Sequence, residues 1–225
     1  MKTSTISKCI FLVMCLLQIL GLHSQAVYFN KNVTAGNLNT LLGFQKDLIT
    51  DLTLTGEING SDIGTIRGMA KLTVLNIADI NVVEGGSFSV FGYDTIYVTK
   101  NEMPQNMFYG LSKITSVTIP KSVTSIGQYT FYSCKGLTKI YCKALKPLNI
   151  SPDAFNGMDK INCKLYVPKG TSAAYKSAAY WSEFTKIIEE KLSPISKTKA
   201  DNTTFFLFKA LMLYSLKINL ELSGL

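Results

Sequence analysis

The sequence contains almost no histidine and almost no arginine. Its single histidine is His23 and its single arginine is Arg67. Because His23 lies in the N-terminal segment that is predicted below to be removed, the mature chain has no Ser-His or Cys-His dyad, no histidine metal ligand and no imidazole that changes charge near neutral pH. With one arginine it lacks the planar groups that bind phosphate in a bidentate manner. These absences exclude much enzyme chemistry and disfavour nucleic-acid binding, although the formal net charge is +8.

Cysteines are few and ligand-binding motifs are missing. Cys9 and Cys15 lie near the N-terminus, and Cys134, Cys142 and Cys163 follow much later, without the spacing of a zinc site. The later three allow at most one internal disulfide, and whether they form one stays open. No phosphate-binding glycine loop, nucleophile elbow or calcium-loop spacing is present. We therefore predict no cofactor and no metal.

No hydrophobic run is long enough to span a membrane comfortably, and this bears on the N-terminal end. The apolar run at 10–22 follows Lys2 and Lys8 and is about as long as the core of a signal peptide. Small residues at Ser24 and Ala26 predict cleavage before Val27. Residues 1–26 are thus predicted to be a signal peptide that exports the chain to the medium, the cell surface or the periplasm.

The C-terminal end differs in composition from the rest. Residues 191–225 begin as a polar linker and continue into an apolar tail that Lys209 interrupts. The tail at 203–220 is too short and too charged to be a membrane span. A surface segment, a docking segment and an unstructured tail all remain open, as does the means of any retention at the surface.

The middle of the chain is a repeat. An apolar residue, any residue and a second apolar residue recur every 21 to 25 positions, and most of these triplets have another apolar residue three places earlier, at Ile49, Leu72, Ile114 or Leu137. The triplets begin at Leu52, Leu75, Ile96, Val117, Ile140 and Leu165. This is the skeleton of a leucine-rich repeat, with short strands that turn one face inward. Phe108, Phe131 and Phe155 recur at the same period and are predicted to share the core.

Both ends of a solenoid need a cap. Leucines at helical spacing, from Leu38 to Leu48, predict an N-terminal cap over 27–50, ahead of repeats at 51–170. Thr171 is a candidate helix N-cap, and apolar residues on one side of 173–190 predict a C-terminal capping helix over 171–190. Trp181, the only tryptophan, is predicted to anchor this cap.

With these residues in view, the chain resembles the BspA-type leucine-rich-repeat proteins that Bacteroides-group bacteria secrete or display. The likeness covers about 35–190, and its most specific strings lie at 52–69, 116–134 and 164–189. The resemblance implies an α/β-type repeat solenoid, right-handed, with short parallel strands. It also implies a non-catalytic, extracellular or surface role such as adhesion to host matrix proteins or other cells.

The outward strand positions supply the candidate binding residues. Charge is uneven, because residues 51–102 carry seven acidic and three basic residues whereas 103–190 carry five and eleven. Tyrosine offers rigid contact area and lysine attracts acidic partners. We therefore predict a face that binds a protein or glycan, formed by Tyr97, Thr118, Lys139, Tyr141, Lys143, Lys164 and Tyr166. A solubilising face without a ligand is the plainer interpretation.

Two other functions remain as alternatives. The acidic residues of 51–102 would suit a carbohydrate-active hydrolase if two carboxylates faced each other across a cleft. Alternatively, the repeat is a structural spacer. The ligand and the oligomeric state are not encoded in any pattern that we recognise.

Overall fold

The computed structural model describes residues 26–190 of the chain. The predicted signal peptide, apart from Ala26, and the predicted linker and tail lie outside the described residues. The strands are β1 (Tyr28–Val33), β2 (Asp51–Ile58), β3 (Val74–Val82), β4 (Ser87–Phe88), β5 (Ile96–Tyr97), β6 (Glu102–Met103), β7 (Ser116–Ile119), β8 (Ser125–Ile126), β9 (Lys139–Cys142), β10 (Asn149–Ile150), β11 (Lys164–Val167) and β12 (Lys186–Glu189). The α-helices are α1 (Leu38–Leu42), α2 (Gly60–Arg67) and α3 (Ser172–Ser177), with 3-10 helices at Gly43–Asp47 and Trp181–Glu183.

Seven strands form the main sheet, in the order β1-β2-β3-β7-β9-β11-β12. Every neighbouring pair is parallel. A second parallel sheet has the order β10-β8-β6. Because parallel neighbours require the chain to return between strands, each repeat consists of one main-sheet strand and a return path. The short parallel strands agree with the predicted repeat solenoid.

The inward residues of the strands form one core. Both apolar positions of the triplets in β2, β3, β7, β9 and β11 are at most 1 % exposed, and the earlier apolar residues from Ile49 to Leu137 are at most 5 % exposed. Burial of each such side chain is worth roughly 1.5–3 kcal/mol relative to exposure. The alternation in the sequence therefore predicts the inward face of these strands correctly.

The repeated phenylalanines stack inside this core. Phe108, Phe131 and Phe155 are at most 2 % exposed, with ring centroids 5.4 Å and 5.2 Å apart. These separations are close to the spacing of about 4.8 Å between neighbouring strands, since each repeat contributes one ring. Trp181 and Phe184 extend this aromatic column, with ring centroids 5.5 Å and 5.1 Å from that of Phe155 and with planes tilted by 58° and 88° to it. The prediction of a shared phenylalanine core is confirmed.

The expected strand at Ile96–Val98 does not join the main sheet. β5 pairs antiparallel with β4 in a separate two-stranded sheet, and β3 pairs directly with β7. Asp94 stabilises the connection between β4 and β5, because its carboxylate accepts hydrogen bonds from Ser89 Oγ and from the backbone N–H groups of Val90 and Phe91. The sequence analysis assigned Ile96–Val98 to the main sheet. An alternating pattern of apolar residues does not distinguish a strand of an antiparallel hairpin from a strand of a parallel sheet.

The predicted capping helix over 171–190 is wrong in its length. The α-helix stops at Ser177, Tyr180 adopts a left-handed backbone conformation with φ of 64°, and β12 follows as the last strand of the sheet. Thr171 occupies the N-cap position, but its hydroxyl donates to the carbonyl oxygen of Pro168 and caps no N–H. Trp181, only 1 % exposed, still closes the end of the core and donates from Nε1 to the carbonyl oxygen of Leu148 at 2.9 Å.

At the other end, a strand precedes the predicted helical cap. β1 pairs along its length with β2, and the alternation in its sequence is too weak to have indicated it. Leu38 and Leu42 are buried as expected, whereas Leu41 and Leu48 are 36 % and 41 % exposed. Among residues 26–190, no helix is long and apolar enough to cross a membrane.

Candidate binding surface

The outward positions of the main sheet line up in two rows. In the first row Thr118, Tyr141 and Tyr166 are direct neighbours on β7, β9 and β11, and Ile188 on β12 follows. In the second row Ser116, Lys139, Lys164 and Lys186 occupy the same four strands. Both rows run across the strands because parallel pairing keeps equivalent positions of successive repeats in register. Five of the seven predicted binding residues thus lie on these rows: Thr118, Tyr141 and Tyr166 on the first, and Lys139 and Lys164 on the second.

The two tyrosines form a stacked pair. The ring centroids of Tyr141 and Tyr166 are 4.5 Å apart, with an angle of 9° between the planes. Burial raises the pKa of Tyr141, and Tyr166 and Glu190 add to the shift, so its hydroxyl stays protonated near neutral pH. Ile188 is 37 % exposed at the end of the row. This part of the face is therefore amphipathic, with partly exposed rings and hydroxyl groups.

The lysines of the second row carry positive charge, and in the described part of the chain only Lys186 has an acidic side chain near enough, Asp159, for its charge to add to the hydrogen bonds from Asn162 that lower the pKa of that carboxyl. Lys139, Lys164 and Lys186 are all exposed, and within residues 26–190 none of them forms an ion pair. Lys186 donates to the side-chain oxygen of Asn162 at 3.0 Å, which leaves its charge in place. Sequence reasoning missed Lys186 because it assigned this segment to a helix. The adjacent β-branched residues Ile187 and Ile188 were the available signal for a strand.

Lys143 belongs to the face but its charge is compensated. Its Nζ lies 2.5 Å and 2.6 Å from the two carboxylate oxygens of Glu190, and 5.6 Å from the centroid of the Tyr141 ring. Both side chains of the ion pair are only about a quarter exposed. Lys143 therefore has less charge to offer an acidic partner than the other lysines of the predicted face, and its ion pair holds the residue after β12 beside Tyr141.

Tyr97 is not part of the face. It lies on β5, opposite Ser87 of β4, and is 76 % exposed. Since β5 is outside the main sheet, no register connects Tyr97 with Tyr141 or Tyr166. The prediction that Tyr97 belongs to the same binding surface is wrong for this reason.

Three of the acidic residues of 51–102 have structural partners. Asp62 is 1 % exposed and accepts three backbone N–H bonds, Asp79 pairs with Lys121 at 2.6 Å, and Asp94 closes the β4–β5 connection. Hydrogen bonds from Ser89 and Phe91 lower the pKa of Asp94 to about 2. The surface of residues 26–190 has depressions beside Pro147–Ile150 and beside Gly110–Ile114, and neither is lined by a carboxylate. No pair of acidic residues with the arrangement of a hydrolase is therefore found in them.

The three later cysteines are buried free thiols. Burial raises the pKa of Cys134 and of Cys163 to about 12, and raises that of Cys142, whose sulfur lies 3.1 Å from the hydroxyl of Tyr175. Across the described part of the chain, no group of three or more histidine, cysteine or acidic side chains is placed to hold a metal ion.

Two structural features of the repeats escaped sequence reasoning. Arg67 donates from one guanidinium nitrogen to the carbonyl oxygens of Asn106 and Met107, so it connects α2 to a later repeat. Burial lowers its pKa, although it remains charged. In addition, the hydroxyls of Thr73, Thr115 and Thr138 each donate, at 3.1 Å, to the carbonyl oxygen of the threonine that comes just before the neighbouring main-sheet strand. The recurrence of threonine just before a strand was the signal for this ladder.

Comparison with known families supports the repeat assignment. The family described as BspA type leucine rich repeat region (6 copies) matches residues 101–204. The chain thus contains a BspA-type leucine-rich repeat region, and the predicted α/β repeat solenoid is confirmed. The parallel sheet continues ahead of the matched residues through β1, β2 and β3. No curated protein matches the chain.

Proposed function

Because the chain contains a BspA-type leucine-rich repeat region, we propose that it is a non-catalytic binding module that is exported and recognises a protein or glycan. The binding surface is the outward face of β7, β9, β11 and β12. The resemblance noted above also suggests a Bacteroides-group source, a place at the cell surface or in the medium, and adhesion to host matrix or other cells.

One observation carries the proposal. The stacked pair Tyr141–Tyr166 lies directly beside Lys139 and Lys164 on neighbouring strands, and these lysines form no ion pair with any residue of 26–190. Aromatic rings supply contact area at a low entropic cost, and nearby cations attract acidic groups. A face that only needed to be soluble would not require stacked tyrosines. β-propensity accounts for single tyrosines in strands, but not for rings left partly exposed between lysines.

A hydrolase receives less support. Its carboxylates would come from 51–102. There Asp62 accepts hydrogen bonds from backbone N–H groups, Asp79 forms an ion pair with Lys121, and Asp94 accepts hydrogen bonds within the β4–β5 connection. The histidine-free sequence after residue 23 offers no alternative general base of the imidazole type. These observations favour binding over catalysis.

The face is tested with the chain secreted from its full-length gene. Binding to immobilised host matrix proteins and to a panel of glycans is compared for the wild type and for the double variant Tyr141→Thr, Tyr166→Thr. Threonine keeps a high strand propensity, so the sheet is retained. Tyr97→Thr is the matched control, because Tyr97 is exposed but outside the sheet. Loss of a partner in the double variant alone supports the face, and equal binding by all three proteins refutes it.

Export is tested separately by mass spectrometry of the secreted chain. The proposal expects the mature N-terminus at Val27. A secreted protein that still begins at Met1, or a chain that stays inside the cell, contradicts it.

A further inference from the structure

Lysines are concentrated on the side of the main sheet at which its strands begin. This side runs across the strands, and we call it the leading edge. Lys139, Lys164 and Lys186 are the first residues of β9, β11 and β12. Lys71, Lys113, Lys135 and Lys160 lie in the turns that lead into β3, β7, β9 and β11. Every second-half repeat therefore contributes lysines to the same edge.

Most of this charge is free within the described residues. Lys160 pairs with Glu183, and Lys113 donates to the carbonyl oxygen of Ala70 at 2.9 Å. The three strand lysines form no ion pair, and Lys135 is exposed. At the opposite edge, by contrast, Lys121 and Lys143 are matched by Asp79 and Glu190. The excess of positive charge is thus concentrated on the leading edge of β9, β11 and β12.

The lysines have a regular spacing. Lys139, Lys164 and Lys186 are in register on adjacent strands, and neighbouring strands lie about 4.8 Å apart, so the row extends over about 10 Å. The ammonium groups lie on flexible stems and act as point charges rather than as bidentate forks. The hydroxyl of Thr138 is exposed immediately before the row, and its oxygen can accept a further bond. A row of evenly spaced positive charges suits a polymer that carries negative charge at regular intervals.

We propose that this row, which we call the lysine row, binds a linear acidic polysaccharide that lies across the strands. The inference rests on the proposed function, whose ligand class it specifies. The lysines hold the carboxylate or sulfate groups, and the adjacent Tyr141–Tyr166 pair contacts the sugar rings. An acidic peptide suits the row less well, because peptide recognition on sheets relies on strand addition or on pockets for alternate side chains. The depressions found on the described surface are lined by other residues than the lysine row.

The test measures binding of the full secreted chain to four polymers. Heparin and alginate are the sulfated and carboxylated polysaccharides, dextran is the neutral one, and poly-L-glutamate is the acidic peptide. The row variant combines Lys139→Gln, Lys164→Gln and Lys186→Gln. The control variant combines Lys100→Gln, Lys146→Gln and Lys176→Gln, which are exposed lysines away from the row. Both variants lose three positive charges, so they differ only in where those charges were. Circular dichroism checks that each variant is folded.

We expect the wild type and the control variant to bind heparin or alginate, with an affinity that falls as salt is added. We expect the row variant to bind roughly tenfold more weakly, since it loses three exposed charge contacts of modest strength each. Equal weakening in both variants overturns the inference, because net charge alone then explains binding. Equally tight binding of poly-L-glutamate also overturns it, in favour of an acidic protein partner.

Failure of this inference differs from failure of the proposed function. If no acidic polysaccharide binds the wild type, but the Tyr141→Thr, Tyr166→Thr variant still loses a matrix protein or neutral glycan, only the ligand class is wrong. If neither the polymers nor the wider panel bind the wild type, both proposals fail.

Discussion

Asp62 illustrates at the residue scale how this fold uses its acidic side chains. The carboxylate is buried, and it accepts hydrogen bonds from the N–H groups of Gly36 at 2.6 Å, Leu38 at 2.9 Å and Asn59 at 3.0 Å. It therefore joins the start of α1 to the start of α2, which the sequence separates. A buried charge is tolerated there because several donors replace its lost hydration.

We expect Asp62→Asn to destabilise the protein by roughly 1–3 kcal/mol. The amide has one acceptor oxygen, so its NH2 group must face at least one N–H that the carboxylate now satisfies. The measurement is the urea midpoint of unfolding. Asp79→Asn is the control, because its ion pair with Lys121 is 59 % exposed on both sides and should contribute less than about 1 kcal/mol. Equal shifts in the two variants would show that Asp62 is not a special anchor.

The cysteines give a second prediction at this scale. Burial holds the pKa of Cys134 and Cys163 near 12 and raises that of Cys142, so at pH 8 the thiols are protonated. Alkylation requires the thiolate and access to it. We expect iodoacetamide at pH 8 to leave all three unmodified in the folded chain and to modify all three in urea, as counted by mass spectrometry. Rapid labelling of the folded chain, or a disulfide between two of them, would be the contrary result.

At the scale of elements, successive repeats approach closely through small residues. A Cβ atom added at Gly136 would lie 2.1 Å from the carbonyl oxygen of Ser112. Gly136 is in the turn that leads into β9, and Ser112 is in the equivalent turn before β7. Since the contact is with backbone, it cannot be relieved by rotating a side chain. The spacing between these two repeats therefore depends on glycine here.

We expect Gly136→Ala to destabilise the protein by about 1–3 kcal/mol, because the turns must move apart. Gly64→Ala is a matched control in α2, where the added Cβ would lie 3.5 Å from Phe88 Cβ, an ordinary contact. That change should stabilise the protein by roughly 0.5–1 kcal/mol, since alanine favours a helix over glycine. Both effects are read from thermal unfolding. A neutral Gly136→Ala would mean that the turns separate without cost.

The same elements show which features the sequence could predict. Inward residues such as Leu75 and Ile140 follow from local alternation, and Phe131 follows from the repeat period. The β4–β5 hairpin does not, because the choice between an antiparallel and a parallel partner for Ile96 depends on distant strands. β12 was not predicted, because the apolar residues of 173–190 occur at helical spacing and indicated a helix instead. In the site, Lys143 has its partner Glu190 47 residues away, a pairing that no local pattern encodes.

At the scale of the whole molecule, the described repeats share one core. Each repeat packs chiefly on its neighbours, as in other solenoids, yet the buried apolar residues form a single cluster from Val33 to Phe184. The ends of such a stack are exposed to fraying unless they are anchored. Trp181 provides the anchor at the C-terminal end, where it contacts Phe155 and Tyr175.

The only tryptophan of the chain therefore reports on the end of the solenoid. Because Trp181 is buried and continuous with the phenylalanine stack, we expect its fluorescence to change at the same urea concentration as the far-ultraviolet circular dichroism, which follows the whole sheet. Coincidence of two probes is the signature of a single cooperative transition. A Phe155→Leu variant weakens the connection and should move both transitions together to lower urea. Fluorescence that changes before circular dichroism would instead show that β12 and the cap unfold as a separate unit, as independent repeats would allow.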